Sequence, residues 1–172
     1  MSIRVLEEHD AAIYQAVRLS GLSNNPEAFG STYERELSFS LETVAERIKP
    51  SQDKFVLGAF DERGKLVGIV TFVRENGIKT AHKGNVFGMY VAQEARGRGW
   101  GKSLMLELIR RASLCEGVEQ INLAVMSDNE AAKKLYQSLG FKLYGVEVHA
   151  LKYQGTYYDE DFMVLRLDRL GN

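Results

Sequence analysis

The sequence predicts one mixed α+β domain over residues 1–172, with strands and helices interleaved around a single twisted sheet. Three observations carry that expectation. A chain of 172 residues is long enough for one sizeable core. Apolar runs of period two alternate along it with stripes of helical period, and Gly, Asn and Pro punctuate the joints. Residues 86–103 read as a β-favouring run that breaks into a Gly-rich turn and opens a helix.

Taken in order, Ile3 and Val5 belong to a short first strand, and His9-Asp10 offers a cap for a helix through Ala11, Ile13, Ala16, Val17 and Leu19. Gly21, Asn24, Asn25 and Pro26 are expected to break it. Residues 27–50 read as one or two helical pieces, with Leu41, Val44, Ala45 and Ile48 on one face and Pro50 as the stop. Phe55 to Phe60 is a strand, 61–64 a tight turn, and Leu66 to Val73 the returning strand. An irregular stretch around Asn76-Gly77 and 81–84 precedes the central strand, 85–91.

Beyond the glycines, Leu104, Leu108, Ala112 and Cys115 form one helical stripe, which reads Cys115 as a small core residue. Ile121 to Val125 is a short interior strand. Ser127 and Glu130 have capping-box spacing ahead of a helix whose Ala132, Leu135, Tyr136 and Leu139 share a face, closed by Gly140. Strands are expected from Phe141 to about Val148 and from Phe162 to Leu167.

Composition narrows the function. Lys and Arg number 22 against 23 Asp and Glu, so nothing advertises a nucleic-acid or membrane surface. The single cysteine excludes an internal disulfide and leaves no clustered thiolates for a metal. The N-terminus lacks a signal peptide's apolar core, and no run approaches transmembrane length, so the expected compartment is the cytoplasm.

The chemistry concentrates in Met89-Tyr90-Val91 and Arg96-Gly97-Arg98-Gly99-Trp100-Gly101-Lys102. A strand, a glycine turn and a helix N-terminus make an anion site. The first helical N–H groups lack internal partners, the dipole is positive there, and glycines allow consecutive N–H groups to converge. A Walker A loop would need glycine where Arg96 stands, and a dinucleotide fingerprint would need it at Lys102. Arg96, Gly99 and Gly101 instead satisfy Arg-x-x-Gly-x-Gly. A plain connecting turn is the bland alternative.

With Met-Tyr-Val before it, this segment resembles the acyl-CoA pyrophosphate loop of the GCN5-related N-acetyltransferases. Asn129, Ala132, Tyr136, Gly140 and Phe141 are similar to the second signature of that family. The resemblance implies a mostly antiparallel sheet flanked by helices on both faces, of the acyl-CoA N-acyltransferase type. It implies acetyl-CoA as cosubstrate and no metal. The main chain of Met89 and Val91 would bond the pantetheine and acetyl groups, beside Tyr90. Backbone N–H groups of 97–102 would cradle the pyrophosphate, with Arg96, Arg98, Trp100 and Lys102 around them. Asn129 would bond the pantetheine, and Tyr136 would protonate the leaving thiolate.

The expected reaction is acetyl transfer to a primary amine by direct attack in a ternary complex, since no strong nucleophile is visible. Many relatives carry a Glu base on the central strand, but the corresponding position here is Asn85. Glu147, His149 and His82 are the alternatives, acting through water. Phe29, Tyr33 and the segment 153–159, including Tyr158, are expected to line the acceptor face. Aromatics with carboxylates suit a small amine or a peptide N-terminus, and equally a homodimer contact. The competing reading is a non-catalytic acyl-CoA binding or sensing module on the same fold.

Overall fold

The computed structural model describes residues 2–167. Seven strands form one sheet in the order β1-β2-β3-β4-β5-β7-β6. They are β1 (Ser2–Val5), β2 (Lys54–Phe60), β3 (Leu66–Arg74), β4 (Lys83–Val91), β5 (Gln120–Met126), β6 (Lys142–Tyr153) and β7 (Thr156–Arg166). Every neighbouring pair is antiparallel except β4 with β5, which run parallel. The helices are α1 (Ala11–Asn24), α2 (Tyr33–Leu37), α3 (Leu41–Ile48), α4 (Trp100–Leu114) and α5 (Glu130–Ser138).

The parallel pair requires a crossover, and α4 supplies it. Its Leu104, Met105, Leu108 and Ala112 are fully buried against Leu57, Val70, Phe72 and Ile121 of the sheet, with α5 on the same side. On the other face Leu6, Val44, Ile48 and Ile69 form a second core that takes in Tyr14 and Val17 of α1. Interior strands β2 and β3 are apolar on both faces because both faces are covered.

Several local expectations are corrected. Asp10 does not cap α1 with its side chain; its carboxylate is gripped by the Arg4 guanidinium at 2.8 and 2.9 Å and accepts the Glu7 N–H, closing the capping box of a short 3-10 turn at 8–10 instead. Gly21 does not end α1 but lies buried inside it, where a larger residue would strike Phe29 and Tyr90. The N-cap of α5 is Asn129, whose Oδ1 accepts the Ala132 N–H, while the Ser127 hydroxyl donates to Asp161. Cys115 sits one residue past α4, half-buried and packed against the main core, so its reading as a small core residue holds at the core's edge.

Strands β6 and β7 are both longer than the pattern predicts, and they meet at a hairpin whose Gln154 and Gly155 have φ of 49° and 79°. Segment 153–159, expected to line the acceptor face, is mostly that hairpin, and of it Tyr158 reaches the cavity described below. Edge position explains the misreading: β6 is exposed along most of its length, so burial imposes no alternation on it.

Candidate active site

Strands β4 and β5 pair at only three positions, Lys83 with Gln120, Gly84 with Ile121 and Asn85 with Asn122. Beyond them the strands part. The cause lies in β4, where Tyr90 faces Ile69 but Phe87 faces Thr71, so β4 spends one residue more than β3 over that stretch. Gly88 takes the extra turn at φ 60°, a left-handed conformation that glycine adopts without steric cost. The bulge twists the end of β4 away, and a cavity of about 780 Å³ opens between Met89–Val91 and Ala124–Met126. With no strand beside it there, the β5-facing edge of β4 leaves main-chain groups to the cavity.

The glycine loop forms one end of this cavity. Gly97 and Gly99 have φ of 78° and 82°, and nothing stands within 4 Å of where a side chain would begin on either. Gly99 is the N-cap of α4, and its carbonyl accepts the Ser103 N–H at 3.0 Å. The N–H groups of 100–102 therefore have no acceptor within the helix. Gly101 has a different reason to be small: a Cβ would lie 3.2 Å from Met89 Cε and 3.4 Å from Leu135 Cδ2. Its bareness lets α4, α5 and β4 converge under the loop.

Arg96 is a clamp as much as a cation. Its guanidinium donates to the Val91 carbonyl and to Asn25 Oδ1, both at 3.0 Å, and lies 5.6 Å from the Tyr90 ring centroid. Arg98 faces a separate surface cleft with Arg63, Lys65 and Glu94, and Lys102 is exposed outside the cavity. Trp100 is buried and lines both clefts.

Helix α5 forms the opposite wall through Ala131, Ala132, Leu135 and Tyr136. Capping by Asn129 engages its Oδ1, and the residue also lines the cavity. Lys133 ties the helix start to the sheet, bonding the Ser127 carbonyl and the Asp161 carboxylate, both at 3.0 Å. The Tyr136 ring is fixed edge-on against Phe141 at 5.9 Å. Burial pushes its phenol up to about 12, so the hydroxyl stays protonated. No described residue hydrogen-bonds that hydroxyl, and the side chain lines the cavity.

The remaining wall lies on the α1 side of the sheet. Asn25, Glu27, Phe29, Tyr158 and Glu160 line it. Phe29 is pinned by the Arg18 guanidinium, 4.8 Å from its centroid, which in turn makes two 3.1 Å bonds to the buried Glu36 carboxylate. The Glu160 carboxylate has neither a salt bridge nor a hydrogen bond among the described residues. Burial and the neighbouring Glu147 raise its carboxyl above the usual range.

Of the acceptor-side residues named from the sequence, Phe29 and Tyr158 meet in the cavity. Tyr33 lies in a separate small depression beside Tyr153. Glu147 stands across from Glu160 on the edge strand, outside the lining. His149, at φ 55°, stacks on Tyr157 at 4.2 Å and gives its N–H to Asp159. His82 sits at the opposite end of β4, and Asn85 is bonded to Glu75. Sequence reasoning missed Asn25, Glu27 and Glu160. Only for Glu160 was a signal present, the two-residue spacing from Tyr158 on a strand whose start was placed too late.

The arrangement is a cleft between splayed parallel strands, closed at one end by a glycine loop on a helix N-terminus. It suits an extended thioester with a diphosphate at its far end. The family model described as "Acetyltransferase (GNAT) family" matches residues 21–141, and the chain belongs to that family. An uncharacterized N-acetyltransferase of Bacillus subtilis, YokL, is 25% identical over 162 residues, covering 92% of this chain and 85% of that one. The L-methionine sulfoximine/L-methionine sulfone acetyltransferase of Pseudomonas aeruginosa is 31% identical over 114 residues, 66% of this chain and 65% of its own. The fold matches a Sinorhizobium meliloti phosphinothricin acetyltransferase solved with acetyl-CoA, at TM-score 0.83 and 24% identity over 96% of this chain and 88% of that one. The protein is an acetyl-CoA-dependent N-acetyltransferase.

Proposed function

We propose that this enzyme, one domain spanning 1–172, acetylates a primary amine that carries no carboxylate beside it: a small amine or a peptide N-terminus. The observation that carries this reading is the charge of the acceptor wall. Glu27 and Glu160 are its ionisable acids, and the one arginine of the cavity, Arg96, is already bonded to Val91 and Asn25. An acceptor carboxylate would meet like charge there, whereas an ammonium beside Phe29 and Tyr158 gains both charge and ring contacts.

In this reading acetyl-CoA lies along the main chain of Met89 and Val91, with its diphosphate on the N–H groups of 97–102 and its pantetheine at Asn129. The amine approaches from the α1 side and attacks directly, and Tyr136 gives a proton to the departing sulfur. The Val91 N–H supports the developing oxyanion. The fixed, protonated, unpartnered Tyr136 hydroxyl favours catalysis over mere acyl-CoA binding.

A cytoplasmic setting and a homodimer complete the proposal. The edge strand β6 exposes Leu143, Tyr144, Val146 and Val148, each more than half accessible, and such an edge favours a covering partner.

The test is release of free thiol from acetyl-CoA across diamines, peptide amines and α-amino acids, with products identified by mass spectrometry. Diamines or peptide N-termini should exceed α-amino acids in kcat/KM by tenfold or more. Preference for α-amino acids would overturn the acceptor class. Binding of acetyl-CoA without turnover on any amine would restore the binding-module reading.

A further inference from the structure

We propose that Glu160 accepts the proton that an acceptor ammonium must shed before its nitrogen can attack. The inference rests on the acceptor approach from the α1 side described above.

The alternation of β7 separates two neighbouring carboxylates onto opposite faces. Asp161 turns to the α5 face, where the Ser127 hydroxyl and Lys133 satisfy it. Glu160 turns with Tyr158 into the cavity, directly across from Met126 on β5 at the splayed end. One acid is fully compensated and the other has no counter-ion among the described residues. An acid left without a partner in a half-buried wall is costly to keep charged, and an arriving ammonium removes that cost.

The groups facing Glu160 favour this assignment. Glu147 stands opposite on β6, Tyr158 lies beside it on β7, and Glu27, Asp128, Arg96 and Tyr136 line the rest of the cavity. Arg96 is committed to Val91 and Asn25 at the glycine-loop end. Tyr136, at about 12, is a proton donor. His82 and His149 are elsewhere, and the central strand offers Asn85, which cannot accept a proton from an ammonium. A lysine-like amine has a pKa of about 10.4, so at neutral pH it arrives protonated and needs an acceptor. Burial and Glu147 raise the Glu160 carboxyl toward that need.

The step balances within the protein. The bound ammonium first gives one proton to the Glu160 carboxylate, which frees the nitrogen lone pair. The nitrogen then bonds the carbonyl carbon, the carbon–sulfur bond breaks, and the electron pair leaves on sulfur, which receives a proton from the Tyr136 phenol. The second proton lost by nitrogen goes to water, exchange with water restores the phenol and the Glu160 carboxylate, and one proton is released overall, so no further reactant is required.

The test compares wild type and Glu160→Gln on two accepted amines, one of pKa about 10 and one of pKa about 7, chosen on the reference scale of amine ionisation. For the strong base kcat should fall about 10²–10⁴-fold, the range of a lost proton-transfer group. For the weak base, which arrives neutral, the fall should be under tenfold. Acetyl-CoA affinity by calorimetry should stay within threefold. Carboxyl titration by ¹³C-glutamate NMR should show one group titrating above the rest in the wild type and missing from Glu160→Gln. In the wild type the acid limb of kcat should follow that group, and Glu147→Gln should move the limb to lower pH. Equal losses on both amines, or kcat within threefold of wild type on the strong base, would overturn the assignment while leaving the acceptor reading intact. A wild type that binds acetyl-CoA and acetylates neither amine would overturn both.

Discussion

The Phe29 ring covers the bare Cα of Gly21 so closely that a methyl group there would stand 2.9 Å from Phe29 Cζ and 3.1 Å from Tyr90 Cγ. A mid-helix glycine normally costs about 0.5–1 kcal/mol against alanine. Here the gap seats an aromatic wall of the cavity.

Gly21→Ala should therefore trade helix propensity against overpacking, with Phe29 giving way because its ring tip is the freer of the two neighbours. Thermal stability should change little, while KM for the acceptor rises several-fold and acetyl-CoA affinity holds. Steady-state kinetics with calorimetry would check it. An unchanged acceptor KM would mean that Phe29 does not position the amine.

Gly99→Glu should abolish CoA binding without unfolding the protein. Its surroundings are open, so no core volume is lost. The left-handed backbone there costs an L-residue about 1–2 kcal/mol, and the new carboxylate would face the diphosphate. Calorimetry on a folded variant is the measurement, and retained micromolar affinity would contradict the cradle.

Tyr136→Phe keeps the ring packed on Phe141 and removes only the hydroxyl. With a general acid lost, kcat should fall about 10²–10⁴-fold at constant CoA affinity. A structural tyrosine would show a lower melting temperature with normal kcat instead. The wild-type rate should show no alkaline decline from this group until pH approaches about 12.

How much of this was legible beforehand follows from how local each signal is. The glycine loop and the Asn129–Tyr136 spacing are short-range patterns, and both emerge on facing walls of one cavity. The α1 boundary was misread because Gly21 answers to Phe29, eight residues on, and Tyr90, far along the chain. The cap of α5 was misassigned because Ser127 is drawn off by Asp161 on another strand. Glu160 escaped notice for the same reason: its place in the cavity depends on β7 pairing with β5 in a register that no local pattern encodes. Tyr33 and His149 share aromatic or titratable chemistry with the site but lie off it.

Glu107 offers a pH test away from the cavity. Hydrogen bonds from Arg110 and Arg111, at 2.8–2.9 Å, hold its carboxyl at about 2 against an ordinary 4.5. A depressed carboxyl contributes stability that is present above its unfolded value and lost as pH falls through the folded one. The window is therefore about pH 4.5 down to 2. Glu107→Gln should lower the melting temperature modestly at pH 7, on the scale of about 0.2–1 kcal/mol for partly exposed pairs. The difference should vanish near pH 2, and calorimetric scans across that range would show it. A constant difference down to pH 2 would rule out the ion pairs as its source.

The three-rung contact between β4 and β5 makes the sheet two panels sewn by a short seam. One panel holds β1 to β4 and the other holds β5, β7 and β6. A thioester lying along the unsewn length would act as a removable stitch, donating and accepting where a neighbouring strand otherwise would. Amide exchange should then divide along this line. The gap-facing amide protons within 86–91 and 123–126, those not bonded to β3 or β7, should exchange faster in the free enzyme than those at 83–85 and 120–122, and slow on ligand binding. The seam would link occupancy of the cleft to the cohesion of the whole sheet, so that the enzyme is most nearly one body when it is loaded.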